Sequence, residues 1–451
     1  MRKTADAGLD SEAAQRRNLP AMERILASAA FSELATEFSR ERVKEEAAAH
    51  LAALRDARLA WDEGVAVAAV RESLAMSTRS TLVPVINGSG VIIHTNLGRS
   101  PIDPALWQRA GETVAGYSNL ELDLESGGRG RRDEHLSALC VSVFGCDEAV
   151  LTNNNAAGTL LLLAATAAGR EVIVSRGELV EIGGGFRVPD VIQQGGARLR
   201  EVGTTNKTRT SDYADAVSRK TAAILRVHRS NFEIVGFTET PSIAELGAVA
   251  RKKKVPLLYD EGSGRAVDLS RYGFAAAPLV RELFALGVDA VTCSTDKLLG
   301  STQGGLILGS AAIIAKVRQH PLMRALRAGK ESYAVIAETL RAFATGRYET
   351  EVPIYRMLAT PLGELRVRAE ALIRGTACEV IDSRCALGGG TTPTETIPSI
   401  AIALPGSANE QQARLLRFTP PIIGRIIDER FTLDLRTLLE RDLPTVAAAL
   451  R

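Results

Sequence analysis

Val291-Thr292-Cys293-Ser294-Thr295-Asp296-Lys297-Leu298-Leu299-Gly300 is the stretch on which the reading of the chain turns. An apolar, β-branched run stops at Ser294, and a lysine follows within a few residues, flanked by Asp296 and then by two leucines and a glycine. Lysines are ordinarily surface charges, so one set directly behind a hydrophobic strand needs a reason. A lysine that has to form a Schiff base supplies one, because partial desolvation favours the neutral, nucleophilic amine.

Two strand ends upstream complete the pattern. Leu257-Leu258-Tyr259-Asp260-Glu261-Gly262-Ser263-Gly264 sets a carboxylate just past a buried strand, in a glycine-containing turn. Leu151-Thr152-Asn153-Asn154-Asn155-Ala156-Ala157-Gly158-Thr159 ends an apolar strand and starts a helix with small residues. The free N–H groups of such a helix start make an anion site, and small side chains let a phosphate approach the backbone. Singly, these are a turn aspartate and a plain asparagine cap. In this order, phosphate cradle, carboxylate and strand-end lysine are the signature of the large pyridoxal-phosphate fold. Asp260 then pairs with the pyridine nitrogen and keeps it protonated, so that the ring acts as an electron sink. Lys297 is the Schiff-base lysine, with Asn154, Asn155, Ala156 and Ser294 on the phosphate side of the cofactor.

The surrounding sequence suits an α/β enzyme. Strands are expected at Glu148–Thr152, Glu171–Ser175, Leu199–Val202, Ala222–Val227, Val255–Tyr259, Ala290–Ser294 and Gly305–Leu308. A helix between two of them is expected to start at Thr240 as N-cap with Pro241 first, and to end in Arg251-Lys252-Lys253-Lys254, cations suited to the helix dipole. Strand–helix alternation implies a mostly parallel sheet covered on both faces, with ligands at the carboxyl ends of the strands. Residues 1–80, nearly free of glycine, read as a helical N-terminal domain, with Asn18 as an N-cap, Pro20 in the first turn and one apolar stripe of Ile25, Phe31, Leu34 and Phe38. Residues 81–330 read as the large α/β domain and 331–451 as a smaller α/β domain that contains the loop Gly388-Gly389-Gly390-Thr391-Thr392.

Composition narrows the classes. The chain has 451 residues, 45% hydrophobic and 24% charged, so it can bury a large core, but with 4% aromatics that core must be mainly aliphatic. A net charge of +2 gives no strong field for nucleic acid, which would have to find a local basic surface. Cys140, Cys146, Cys293, Cys378 and Cys385 show no metal-ligand spacing, so no metal and no disulfide framework is expected. Without a signal peptide or a run of about 18 apolar residues, the expected compartment is the cytoplasm, with no membrane contact.

Longer motifs resemble one family closely, bacterial selenocysteine synthase, or L-seryl-tRNA(Sec) selenium transferase. They are Leu19-Pro20-Ala21-Met22-Glu23-Arg24, Asn87-Gly88-Ser89-Gly90, His94-Thr95-Asn96-Leu97-Gly98-Arg99, Tyr117-Ser118-Asn119-Leu120-Glu121 and Gly127-Gly128-Arg129-Gly130-Arg131-Arg132. Arg176–Gly184, Gly203–Thr208, the lysine block, Arg324-Ala325-Leu326-Arg327 and Pro420-Pro421-Ile422-Ile423-Gly424-Arg425 complete the match. The resemblance implies the aminotransferase-like fold of type I, a homo-oligomer formed as a ring of dimers (a decamer is one such ring), and a helical arm that holds the tRNA. It implies conversion of seryl-tRNA(Sec) to selenocysteinyl-tRNA(Sec) with selenophosphate, through an aminoacrylyl ester, with Lys297 as the base. Arg99, Arg324 and Arg327 match family arginines that face the active site, where guanidinium forks suit a phosphate-like donor. His94 suits either a place near the cofactor or a purely structural role. The chain departs from the family at Ser301-Thr302, where Gly-Pro is more usual, and at Glu261, where leucine is commoner. The rival reading is a related lyase acting on a small amino acid or amino sugar phosphate, which would have no use for residues 1–80.

Overall fold

In the computed structural model the β-branched runs form a seven-stranded sheet. Its strands are Glu148–Thr152 (β1), Glu171–Ser175 (β2), Arg198–Val202 (β3), Thr221–Val227 (β4), Leu257–Gly262 (β5), Ala290–Ser294 (β6) and Gly305–Gly309 (β7). Their order across the sheet is β1-β7-β6-β5-β4-β2-β3. From β6 to β3 all neighbours are parallel, and β7 runs antiparallel to both β6 and β1. The parallel strands therefore end along one edge, and β7 begins there.

Alternation along each strand feeds two cores. Leu151, Ile173, Ile224, Leu257, Val291, Leu306 and Leu308 point into one. Val150, Val172, Val174, Leu225, Leu258, Ala290 and Ile307 point into the other. Burial on both faces explains why these strands read as unbroken apolar runs. One face is covered by helices that include Ile243–Lys253 and Lys330–Ala344, and the other by Asn155–Ala167 and Ala311–Gln319. Towards the C-terminus, Glu379–Gly388 (β8), Thr392–Ala403 (β9), Arg425–Ile427 (β10) and Arg430–Asp434 (β11) make an antiparallel sheet of order β8-β9-β11-β10. The turn between β8 and β9 is the triglycine loop.

The structure describes residues 19–451, and the chain divides into two compact units between Pro84 and Val85. The first unit holds four helices among the described residues, Met22–Leu26 (α1), Ala29–Phe38 (α2), Arg40–Ala57 (α3) and Glu63–Thr78 (α4). Val43, Ala47 and Leu51 on α3 and Ala66, Val70 and Leu74 on α4 recur every fourth residue and bury together with Ile25, Phe31 and Leu34.

Several sequence expectations shift. Asn18 lies outside the described residues, and Pro20 precedes α1, whose cap is Ala21. The stripe of Ile25, Phe31, Leu34 and Phe38 spans two helices, because Ser28 caps α2 through the Phe31 N–H. Strand β5 begins at Leu257, two residues later than expected, because Pro256 has no N–H for the ladder. The cap of Ile243–Lys253 is Ser242 and not Thr240. Ser242 Oγ accepts from the Glu245 N–H while the Glu245 carboxylate accepts from the Ser242 N–H at 2.8 Å, a reciprocal capping box. Ser242→Ala should therefore lower stability by about 1 kcal/mol, read as an earlier urea midpoint, whereas Thr240→Ala should leave the midpoint in place.

Candidate active site

Lys297 sits just past β6, and its backbone is tied from several sides. Ser100 Oγ donates to the Lys297 carbonyl at 2.7 Å, and Gly300 N donates to the same carbonyl at 2.9 Å. Tyr355 Oη donates to the Leu298 carbonyl at 2.7 Å, and Leu298 N donates to the Ser263 carbonyl at 2.9 Å. The unusual Ser301-Thr302 pair fits this loop. Ser301 N donates to Thr295 O at 2.9 Å, Thr295 Oγ1 donates to Thr302 O at 2.6 Å, and Thr339 Oγ1 donates to Ser301 Oγ at 2.9 Å. The Lys297 side chain is buried, and its Nζ donates to the Gly390 carbonyl at 3.3 Å. Burial, then the nearby Arg99 charge, lowers the pKa of this amine, against the opposing pull of Asp260, Asp296 and Glu261.

Asp260 lies on β5, the neighbour of β6, and is buried. Its carboxylate accepts from Asn155 Nδ2 at 2.9 Å and from Thr292 Oγ1 at 3.3 Å. Burial pushes its pKa up, opposed by the Asn155 hydrogen bond, the Lys297 charge and the Thr292 hydrogen bond. Among the described residues no cationic side chain bonds it. The unexpected Glu261 closes the turn that follows, accepting from Ser263 N at 3.0 Å and Gly264 N at 2.6 Å.

Asn155 opens the helix Asn155–Ala167, and Asn154 caps it through Ala157 N at 2.9 Å. Ala156 lies in the first turn. Gly305, opposite Ser294 in the ladder, has no room for a Cβ because the Asn154 carbonyl and the Asn155 nitrogen occupy that place. Asn154, Asn155 and Ser294 thus share one corner of the sheet edge. Beside it lies a cavity of about 380 Å³ lined by Asn153, Asn154, Ala156, Leu160, Val191 and Leu326.

The arginines are placed unequally. Arg99 Nη1 meets Asp296 Oδ2 at 2.6 Å, next to Lys297, and the other Asp296 oxygen is buried without a partner among the described residues. Arg327 bonds Glu121 at 3.1 Å, and Arg132 and Arg129 bond the same carboxylate at 2.7 and 3.1 Å. These charges, with the Arg132 hydrogen bond foremost, hold the Glu121 carboxyl below its ordinary range. Arg327 also bridges Thr152, and Asn153 N donates to Leu326 O at 2.9 Å, so it stands beside the helix-start corner. Arg324 is exposed on the short helix Leu322–Leu326, without an ion-pair partner among the described residues. His94 has a buried Nδ1 without a partner among the described residues, and burial lowers its pKa.

Sequence reasoning passed over the groups around the Lys297 amine. The Gly388–Thr392 turn touches it, and His228 and Ser230, just past β4, hold that turn. Three successive glycines were the available signal. Other motifs prove to be scaffolding. Glu178 is buried, pairs with Arg226 and accepts from Val227 N at 3.1 Å, pinning the end of β4. Gly88 lies against Leu433 and Gly90 against Arg425 and Asp434, so the Asn87–Gly90 and Pro420–Arg425 motifs pack on each other.

These residues fit pyridoxal phosphate. The site offers a desolvated amine, a buried carboxylate with no cationic partner and a buried Asn155 Oδ1 with no hydrogen bond among the described residues, and a capped helix start for a phosphate.

Comparison with known proteins agrees. Residues 85–439 match the family model for L-seryl-tRNA selenium transferase, and residues 16–55 match the one for the selenocysteine synthase N terminal region. The L-seryl-tRNA(Sec) selenium transferase of Geobacter sulfurreducens is 46% identical, covering 90% of each chain. That of Hyphomonas neptunium is 42% identical over 96% of this chain and 98% of its own. Among solved structures, a D-glucosaminate-6-phosphate ammonia-lyase superposes with a TM-score of 0.61 at 23% identity, over 82% of this chain and 95% of its own, a likeness of fold.

Because burial and Arg99 both depress the Lys297 pKa, cofactor-free protein should react with a small acylating reagent at Lys297 at a lower pH than free lysine does. Arg99→Leu removes one of those two causes and should move the reactivity midpoint up. Peptide mapping of the modified lysine across pH checks both.

Proposed function

The chain belongs to the L-seryl-tRNA selenium transferase family, and from that premise we propose that it converts seryl-tRNA(Sec) to selenocysteinyl-tRNA(Sec). We take selenophosphate as the selenium donor, the cytoplasm as the compartment and a homo-oligomer assembled from dimers as the working form. The fold is the type I fold of pyridoxal-phosphate enzymes, and the chain is a pyridoxal-phosphate-dependent enzyme. What carries the reading is the buried Lys297 amine, just past β6, near the buried Asp260 carboxylate of the neighbouring strand β5, in a chain that also has the family's helical N-terminal region.

Lys297, Asp260, Ser294 and the helix start at Asn154, Asn155 and Ala156 would hold the cofactor. When bound, it supplies an electron sink that lets the α-proton of serine leave. Lys297, its proton affinity lowered by burial, accepts that proton and later returns it. Asp260 would place its negative charge against the cofactor's ring nitrogen and favour its protonated form, which would offset the cost of burying the carboxylate. The serine hydroxyl takes up a proton from solvent and departs as water, the donor's selenium bonds to the β-carbon, and water cleaves the donor's P–Se bond, releasing phosphate and restoring that proton. Arg99, Arg324 and Arg327 bind the anionic donor through guanidinium forks. The α1–α4 unit is the tRNA-binding domain, the region 81–330 carries the cofactor, and 331–451 supplies the covering sheet.

The test is turnover on seryl-tRNA(Sec) with selenophosphate, run beside free serine and an unrelated seryl-tRNA. Selenocysteine should form only on the cognate tRNA, and turnover confined to a small amino acid would replace this reading with the lyase. Lys297→Ala should abolish turnover together with the visible absorbance of the lysine-bound cofactor. Asp260→Asn should keep the fold and lower kcat by roughly 10²–10³-fold, the scale of losing one preorganised electrostatic group.

A further inference from the structure

We propose that the triglycine turn Gly388–Gly390 is a positioning clamp for Lys297, with the Gly390 carbonyl as the resting acceptor of the amine whenever that amine is not covalently engaged. The proposal rests on Lys297 being the reacting amine.

The turn reaches the amine across the whole C-terminal sheet. Strands β8 and β9 pair from Glu379–Ala403 to Gly388–Thr392, and the turn at their far end brings Gly390 against Lys297. Glycine is required at two places. Gly388 has φ +117° and lies against the Ile93 carbonyl, where a Cβ would collide. Gly390 has φ +85°, and a Cβ there would lie 2.5 Å from Lys297 Nζ and 2.9 Å from its Cε, in the amine's own place. Any side chain at 390 competes with the lysine for that space.

The turn is also fastened. Gly390 N donates to the Ser230 carbonyl at 3.2 Å, and His228 Nε2 donates to the Thr391 carbonyl at 3.0 Å. Thr391 Oγ1 closes the turn on the Gly388 carbonyl at 2.7 Å, and Ile93 N holds Leu387 O at 2.7 Å. His228 N in turn donates to the Asp260 carbonyl at 2.9 Å. The clamp is therefore linked to the strand that carries the carboxylate as well as to the lysine.

A neutral amine has two N–H groups and one lone pair. Giving one N–H to Gly390 fixes rotation about the terminal C–N bond and so directs the lone pair. When the amine is engaged elsewhere, the Gly390 carbonyl loses its donor in a buried place, and the turn loosens by about the net worth of one hydrogen bond. By reciprocity, loosening the turn frees the amine.

Hydrogen exchange on the cofactor-free, full-length protein tests this without tRNA or cofactor, so it can fail while the proposed reaction stands. Lys297→Met should raise exchange in a peptide spanning 387–392 roughly fivefold, the equilibrium equivalent of one such hydrogen bond, and leave the Glu379–Ser383 end of β8 unchanged. In the other direction, Thr391→Val removes the turn's own fastening at nearly constant volume. It should speed capture of added pyridoxal phosphate, followed by absorbance, by a similar factor, with the thermal midpoint near that of the parent. Unchanged exchange in Lys297→Met, or unchanged capture in Thr391→Val, would each overturn the clamp.

Discussion

An amine and a carboxylate have to be withdrawn from water close together without being allowed to neutralise each other by a direct bond, and the rest of the molecule follows from that constraint. Each burial costs several kcal/mol unless hydrogen bonds and neighbouring charge offset it. Asp260 is offset by an amide and a hydroxyl, Asn155 and Thr292, with Lys297 acting on it only through its charge. Lys297 finds a neutral acceptor in the Gly390 carbonyl. A full ion pair would hold the amine protonated and useless as a nucleophile. With a neutral acceptor the amine keeps the lowered proton affinity that burial gives it, and the parallel sheet is what lets these groups meet, because β4, β5 and β6 deliver His228, Asp260 and Lys297 to one edge.

Much of the conspicuous sequence serves this edge indirectly. The buried Glu178, within the Arg176–Gly184 motif, binds Arg226 and the Val227 N–H. That fixes the end of β4, from which His228 and Ser230 reach the triglycine turn. The Asn87–Gly90 and Pro420–Arg425 motifs, far apart in the chain, pair Ile86 with Ile422 and Asn87 with Ile423. Ile92 and Ile93, just beyond, then lie along β8 through the Ala386 and Leu387 carbonyls. A motif whose residues are buried against each other is explained by packing, and only what remains has to be explained by chemistry.

That distinction also marks what the sequence could disclose. The burial of Lys297 and Asp260 and the helix start at Asn154 were legible because each breaks a local rule, a polar residue at the end of an apolar run, and local rules need only neighbouring residues. The seven strands were legible for the same reason, with boundaries off where a finer rule intervened, as with Pro256 at β5 and the Ser242–Glu245 box in place of Thr240. Gly390, His228 and Ser230 were not legible. Their role is a contact between the tip of one sheet and the edge of another, and no periodicity within either segment encodes it. Arg324 and Arg327 read alike in sequence, yet one is exposed and the other shares Glu121 with two further arginines.

The arginine arrangement carries the electrostatics one step further. Arg99 spends only Nη1 on Asp296, through a single carboxylate oxygen. A guanidinium has five N–H groups in a planar fork, so a monodentate pair leaves the remaining edges for a second anion. Asp296 therefore orients Arg99 without saturating it, while the Arg99 charge holds down the proton affinity of Lys297. An anion arriving at Arg99 would partly screen that charge and raise the proton affinity of the amine. Anion binding at Arg99 and lysine basicity are thus coupled through one side chain, and the sign of the coupling favours a Lys297 that carries a proton while an anion sits there.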